Sequence, residues 1–245
     1  MKYVILSDVH ANLEALESCF KKIDELKPDK IICLGDLVDY CAQPNECVEI
    51  IKSRCDVVIL GNHDEAQFNY TLADGFSEHA KISSIKTRDI VEKKFVEYFK
   101  TLSLTYSENN FLFVHGSPLF PMEYNYVLTK EDAKLNFSGC NEKICFIGHS
   151  HRPILWELKE NKVSHVSKNK LDENSRLYGQ ARYIINVGSI GQPRDGDPRA
   201  SFGFYNSEKM IYENIRVEYN IDYAARKIID AGLPKELAER LFHGR

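Results

Sequence analysis

The chain opens with Lys2-Tyr3-Val4-Ile5-Leu6-Ser7-Asp8-Val9-His10 and repeats the form in Lys30-Ile31-Ile32-Cys33-Leu34-Gly35-Asp36-Leu37-Val38-Asp39. In both, a short run of Val, Ile and Leu stops abruptly at carboxylates, and in the first also at a histidine. Such a run, bounded by Gly or polar residues, reads as a buried strand. Residues 56–60 do the same before Gly61-Asn62-His63-Asp64. Between the first two runs, Leu13, Leu16, Phe20, Ile23 and Leu26 recur at helical spacing over residues 12–27, and Pro28 ends the pattern. A second helix is expected over 46–54. The order β-α-β-α-β implies parallel strands joined by right-handed crossovers.

Farther along, residues 77–102 carry Ile82, Ile85, Ile90, Phe95 and Phe99 at helical intervals and predict one or two helices. Residues 104–106 and 111–115 flank Asn109-Asn110, a hairpin signal. A buried strand is expected over 144–148, and a pair over 154–158 and 162–166. Residues 183–187, 201–206 and 210–219 read as antiparallel strands. Two short helices, 222–231 and 234–242, close the chain, separated by Gly232 and started by Pro234. The polar stretch 168–175 reads as a mobile loop. There is no repeat and no evident linker, so a single domain over 1–245 is expected.

The 245 residues are 43% hydrophobic and 28% charged, with 36 acidic against 32 basic side chains, which is the balance of a soluble globular protein. A formal charge of −4 gives no footprint for general nucleic-acid binding or for a membrane surface. No apolar run approaches a spanning helix, and the apolar part of the opening segment is too short for a signal peptide. The seven cysteines are odd in number and form no Cys-x-x-Cys, so a reducing, cytoplasmic setting is expected.

Chemistry concentrates at the strand ends. Asp8-Val9-His10, Gly35 to Asp39, Gly61 to Asp64, His115-Gly116 and Gly148-His149-Ser150-His151 each follow an apolar run. Ligands of open α/β sheets bind outside the carboxyl ends of the strands. Five of the eight histidines fall in these segments, while His79, His165 and His243 do not and read as surface or packing residues. Imidazole, carboxylate and amide ligands without thiolate suit Mn, Fe, Zn or Co better than Ca or Mg. His149 and His151 alternate along an extended segment, so aiming both at one site requires a local bend.

These blocks, in this order, resemble the calcineurin-like metallophosphoesterases, whose pattern is D-x-H, G-D-x-x-D, G-N-H-[DE], a later H and G-H-x-H. Asn186-Val187-Gly188-Ser189-Ile190-Gly191-Gln192-Pro193-Arg194 and the C-terminal helices resemble the small bacterial and archaeal branch. The resemblance implies an α/β fold, a four-layer α/β/β/α sandwich of two mixed sheets flanked by helices. It implies two divalent transition-metal ions, Mn foremost, with Fe, Zn, Co or Ni as alternatives. Asp8, His10 and His151 would hold one ion and Asn62, His115 and His149 the other, with Asp36 bridging. A hydroxide between the ions would attack a phosphomonoester or phosphodiester, and His63 would act as general acid with Asp39 on its ring. Expected partners are a small phosphorylated or nucleotide substrate and, from the family alone, a second copy in a homodimer.

Protein serine/threonine phosphatases carry an arginine directly after G-D-x-x-D. Tyr40 stands there, which disfavours that alternative. A non-catalytic metal-binding scaffold is a further alternative, although His63 and every ligand are kept. Arg194 is a candidate substrate contact, and Asn12 another, with helix capping as the alternative for Asn12. Residues 117–127 carry Phe120, Tyr124 and Tyr126, which would either stack on a nucleobase or pack on the body.

Overall fold

The computed structural model describes residues 1–166, 175–177 and 179–245. Strand β1 (Lys2–Leu6) is covered on both faces, which explains its unbroken apolar run. Tyr3 and Ile5 enter one core, while Val4 and Leu6 enter another, following the two-residue period of a strand. β1 pairs in parallel with β2 (Lys30–Cys33), and β2 with the two-residue β3 (Val57–Val58). On its other side β1 runs antiparallel to β11 (Ala200–Asn206), followed by β12 (Ile211–Val217) and β9 (Ser175–Arg176). The second sheet has the order β4 (Thr105–Glu108), β5 (Phe111–Val114), β6 (Ile144–Ile147), β10 (Arg182–Asn186), β7 (Ile154–Lys159) and β8 (Lys162–Val166).

The sheets pack face to face through Tyr3, Ile5, Phe113, Phe146, Tyr183 and Tyr205, with the Phe113 and Phe146 rings stacked at 5.3 Å. Burying each such side chain contributes roughly 1.5–3 kcal/mol. Helices α1 (Leu13–Leu26) and α2 (Pro44–Arg54) cover the outer face of the first sheet. After the single turn of α3 (Asn62–Glu65), helices α4 (Glu78–Ile90) and α5 (Lys93–Phe99) follow. Helix α6 (Lys130–Asn136) covers the second sheet. The result is a sandwich of two mixed sheets between helices. Helices α7 (Ile221–Asp230) and α8 (Lys235–His243) form a further cluster with Tyr40, Cys41 and Ala80 at the side. Among the described residues no helix is long and apolar enough to cross a membrane. The cysteines are free.

Several expectations need correction. Residues 183–187 are not a neighbour of 201–206. β10 sits in the second sheet, parallel to β6 and antiparallel to β7. A short apolar run says that it is buried but not in which sheet. The strand expected over 56–60 shrinks to Val57–Val58; Ile59 N still donates to the Cys33 carbonyl at 3.0 Å while Ile59 also bridges Ser103. Helix α2 starts at Pro44 rather than 46, with the proline in its first turn, where no N–H is needed. Helix α6 was not foreseen, although Thr129 and Asp132 form a reciprocal cap, Thr129 Oγ1 accepting from Asp132 N at 3.1 Å. Of the expected loop 168–175, residues 168–174 lie outside the described residues and Ser175 opens β9.

Candidate metal centre

Beyond β1 the backbone turns into left-handed conformations at Asp8, His10 and Ala11, and beyond β2 at Asp36, Asp39 and Tyr40. The two loops run side by side, with Asp8 N, His10 N and Ala11 N donating to the carbonyls of Gly35, Asp36 and Leu37 at 3.0, 3.0 and 2.9 Å. After β6, His149 and His151 are both left-handed, which supplies the bend that an alternating pair requires. Asn186 Nδ2 donates to the Gly148 carbonyl and to Ser150 Oγ across this bend. Non-glycine residues pay for such backbones, so their clustering here marks a site where side-chain aim outweighs local comfort.

The result is two overlapping groups. Ligand atoms of Asp8, His10, Asp36 and His151 lie within 4.8 Å of one another, and so do those of Asp36, His115 and His149. Asn62 Oδ1 joins the second at 3.2 Å from His115 Nε2. Asp36 belongs to both groups, and its Oδ2 is buried with no hydrogen-bond partner. His10, His115 and His151 each donate through Nδ1 to a backbone carbonyl, of Val38, Leu34 and Gln192 at 2.9, 2.8 and 2.7 Å. That fixes their tautomers and leaves the Nε2 lone pairs facing inward. His10 Nε2 then meets His151 Nε2 at 3.1 Å, and His115 Nε2 meets His149 Nδ1 at 3.2 Å. His115 Nε2 also lies 3.2 Å from Asp36 Oδ2, and donor atoms gathered this closely repel one another unless a proton or a metal cation lies between them. The donor set therefore fits divalent metal, with nitrogen and oxygen ligands and no thiolate.

The electrostatics agree. Burial opposes a charged His115, but the charges of Asp36 and Asp8 outweigh it and raise its pKa to about 9. The same field that draws a proton draws a metal ion. Burial and the neighbouring cationic ring of His115 push His149 down to about 3. Burial also opposes the ionised form of Asp8, yet His151 and His115 bring its pKa down to about 2.

His63 stands beside this centre rather than in it. Its Nδ1 lies 2.6 Å from Asp39 Oδ2, and its backbone N donates to Asp36 Oδ1 at 2.9 Å. Burial disfavours the imidazolium, but the Asp36 charge and the Asp39 hydrogen bond raise the pKa above the ordinary histidine value. Gln67 Nε2 donates to Asp39 Oδ1 at 3.1 Å and to the His63 carbonyl at 3.0 Å, and so holds the pair. Phe76 covers the His63 ring at 4.5 Å.

Sequence reasoning missed Gln67 and the role of Asp64. The Asp64 carboxylate accepts from the backbone N of Asp36, Leu37 and Gly61 at 2.8, 2.8 and 3.2 Å, clamping the loop that carries the shared ligand. Burial and the Asp36 charge push its pKa up to about 7. Its place as the last residue of the G-N-H-[DE] block was the available signal. Gln67, four residues beyond His63, had none.

For Asn12 the structure shows the helix-capping alternative. It is 1% exposed, its Oδ1 caps α1 at Ala15 N (3.2 Å), and its Nδ2 donates to the Gly191 carbonyl at 2.9 Å. Both polar ends are committed to backbone, and the side chain does not line the cleft. The segment 189–192 is a strap: Ser189 Oγ and Gly191 N donate to the Asp8 carbonyl, each at 2.8 Å. A Cβ on Gly191 would lie 2.0 Å from the Val9 carbonyl, so glycine is required there.

Arg194 does face the centre. It lies over the Tyr40 ring at 5.5 Å, and that ring packs on His10 and His63 at 4.4 and 4.8 Å. The positive charge lacking at position 40 thus returns from another loop. Of the aromatics in 117–127, Tyr126 stacks on His149 at 4.3 Å and lines the cleft, and Tyr124 OH donates to Glu65 Oε2 at 2.6 Å. Phe120 is exposed. Away from the site, His79 approaches Glu236, His165 packs on Trp156, and His243 lies in the last turn of α8.

Residues 1–210 match the family described as the calcineurin-like phosphoesterase superfamily domain. The chain belongs to that superfamily. It is 35% identical to an uncharacterized protein of Methanocaldococcus jannaschii over 246 aligned residues, covering 98% of this chain and 97% of that one. Its fold is similar to the crystal structure of a metallophosphoesterase from Sphaerobacter thermophilus, with a TM-score of 0.85, 35% identity, and coverage of 100% and 99% of the two chains. A hypothetical protein of Pyrococcus horikoshii shares the fold at a TM-score of 0.80 with 20% identity, over 100% of this chain and 98% of that one. The expected sandwich of two mixed sheets is the fold of this family.

Proposed function

We propose that the chain hydrolyses phosphomonoesters or phosphodiesters at this cleft, with two divalent transition-metal ions, Mn foremost. Asp8, His10 and His151 would hold one ion, Asn62, His115 and His149 the other, and Asp36 both. The observation that carries the reading is the pair of donor groups sharing Asp36 directly beside the His63–Asp39 pair. Two divalent ions in such a site supply Lewis acidity to a phosphoryl group and a water acidified toward neutral pH.

The chain's own residues do the rest. Asp39 accepts from His63 Nδ1, so Nε2 is the atom that gives a proton to the leaving oxygen. The Asp36 charge and the Asp39 hydrogen bond favour the protonated ring, while Gln67 holds Asp39 in place. Arg194 offers a guanidinium to the non-reacting phosphoryl oxygens. Tyr126 and Phe76 narrow the cleft and limit water at the leaving group.

The test is turnover of p-nitrophenyl phosphate and bis-p-nitrophenyl phosphate by protein supplied with Mn, Zn, Co or Ni. His63→Asn is expected to keep its metal content and lose about 10²–10⁴-fold on alkyl phosphates, whose leaving groups need a proton. The loss on p-nitrophenyl phosphate should be much smaller. Unchanged alkyl phosphate turnover in that variant overturns the role of His63. Inactivity of the metal-loaded wild type on all esters favours the scaffold reading.

A further inference from the structure

The cleft over the metal centre holds about 1020 Å³, far more than one phosphoryl group fills. The C-terminal Arg245 lines it, and its outer wall carries Arg152, Arg194 and Arg240. Among the described residues none of the three pairs with a carboxylate, although neighbouring arginines do: Arg199 with Asp197 at 2.7 Å and Arg216 with Asp195 at 2.5 Å. Where an arginine of this region serves the fold, it has an acidic partner. Two of the cleft arginines are fixed through neutral acceptors instead. Arg152 Nε donates to the Arg194 carbonyl at 3.0 Å, and Arg194 Nη2 to Gln192 Oε1 at 2.8 Å. Their charge is therefore positioned but not compensated. Apart from Asp36, the carboxylate side chain lining the cleft is Glu123, to which Asn125 Nδ2 already donates at 2.7 Å.

Arg240 comes from a different source than the others. The family match ends at residue 210, and α8 lies beyond it. Leu237, Ala238 and Leu241 seat that helix in the cluster containing Tyr40 and Cys41, and Arg240, half-buried, joins the cleft wall. A helix outside the matched region thus contributes a cation to the cleft.

Charge balance indicates what these cations are for. Two divalent ions facing Asp8, Asp36 and an attacking hydroxide would leave one positive charge, and Arg194 would supply the second that a phosphoryl dianion needs. The guanidinium groups of Arg152 and Arg240 remain for a second anion, and planar guanidinium forks suit phosphate. Building on the phosphoesterase reading above, we propose that Arg152 and Arg240 form a second anion site. The substrate is a phosphate ester whose leaving alcohol carries another phosphate.

The probes are matched pairs: n-alkyl phosphates against α,ω-alkanediol bisphosphates with two to six carbons, turned over by metal-loaded protein. At the best chain length the bisphosphate should exceed the monophosphate at least tenfold in kcat/KM, mainly through KM. Arg240→Ala and Arg152→Ala should each reduce that ratio about tenfold. Arg240→Gln, close in size, should do the same if the alanine variant folds poorly. A ratio near one at every length, or one untouched by these substitutions, overturns the second anion site and leaves phosphoesterase activity standing. Calorimetric binding of alkane bisphosphonates against monophosphonates, which are not hydrolysed, reads the same ratio without turnover. An Arg240-dependent bisphosphonate preference in a protein that hydrolyses neither ester keeps the anion site and removes the phosphoesterase reading.

Discussion

The two ends of the same strands obey opposite rules. Where β2 begins, Lys30 Nζ is held by Glu108 Oε2 at 2.6 Å and Tyr106 OH at 3.0 Å, and Asn109 Nδ2 donates to Tyr3 OH at 3.0 Å. The left-handed backbones there include Asn109 and Asn110, residues that tolerate them, and Lys27 at the C-terminal cap of α1. Where β1, β2 and β6 end, the left-handed residues are Asp, His, Ala and Tyr, the imidazole lone pairs face one another, and a carboxylate oxygen is orphaned. At the first end the cited groups are met by the chain's own side chains, with Glu108 Oε1 left unpaired. The other is finished only by something the polypeptide does not supply. Backbone strain, facing imidazoles and an orphaned carboxylate oxygen gathered in one place are the physical mark of a site.

The sharpest way to break this contrast is Asp36→Asn. Removing the carboxylate shared by both groups should lower ester turnover by about 10³-fold or more and reduce metal content measured by elemental analysis. Metal addition should raise the melting temperature of the wild type, since a ligand bound only by the native state stabilises it, and should do so far less in this variant. Equal melting shifts in both proteins would place the metal elsewhere.

A second comparison weighs backbone room. Gly35, at the strained end, has φ +92°, and a Cβ there would lie 2.4 Å from Gly61 N. Gly179, at the opposite end, would meet only the tip of Met210 at 3.9 Å. Gly35→Ala should cost about 3 kcal/mol or more in urea unfolding, from the clash plus the backbone penalty. Gly179→Ala should stay within about 1 kcal/mol of wild type. Similar costs would remove the asymmetry.

The smallest effect tests the end where β2 begins. Burial slightly disfavours the Lys30 ammonium, but Glu108 and Tyr106 outweigh it and raise its pKa. A raised pKa contributes stability that is whole below the unfolded value near 10.4 and is lost as pH climbs through the folded one. The pair is partly exposed, so its worth is about 1 kcal/mol. The unfolding free-energy gap between wild type and Lys30→Met should therefore be flat from about pH 7 to 9 and shrink at higher pH. A gap that widens with pH would show the pair is not what holds that end.

Much of the self-imposed order was legible in the sequence. Periodicity gave β1, α1 and β2, because burial on both faces or on one stripe writes directly into residue order. The strand-end histidines were legible because imidazoles rarely follow apolar strands without cause. The placement of β10 was not, because sheet membership depends on which edge is free when the chain arrives. Asn12 stayed open between substrate contact and helix cap because a capping amide and a binding amide look alike until the Gly191 carbonyl is seen beside it. Gln67 left no trace in the sequence, because its partners Asp39 and His63 come together only in three dimensions.

The ligand groups run from Asp8 to His151, and the carbonyl that orients His151 belongs to Gln192. A ribosome must therefore have released about four-fifths of this polypeptide before the cage can close. An ion cannot be loaded onto a half-made chain in its final geometry. Capture of an ion there would then serve as a late quality check, passed only by molecules whose two sheets have already docked.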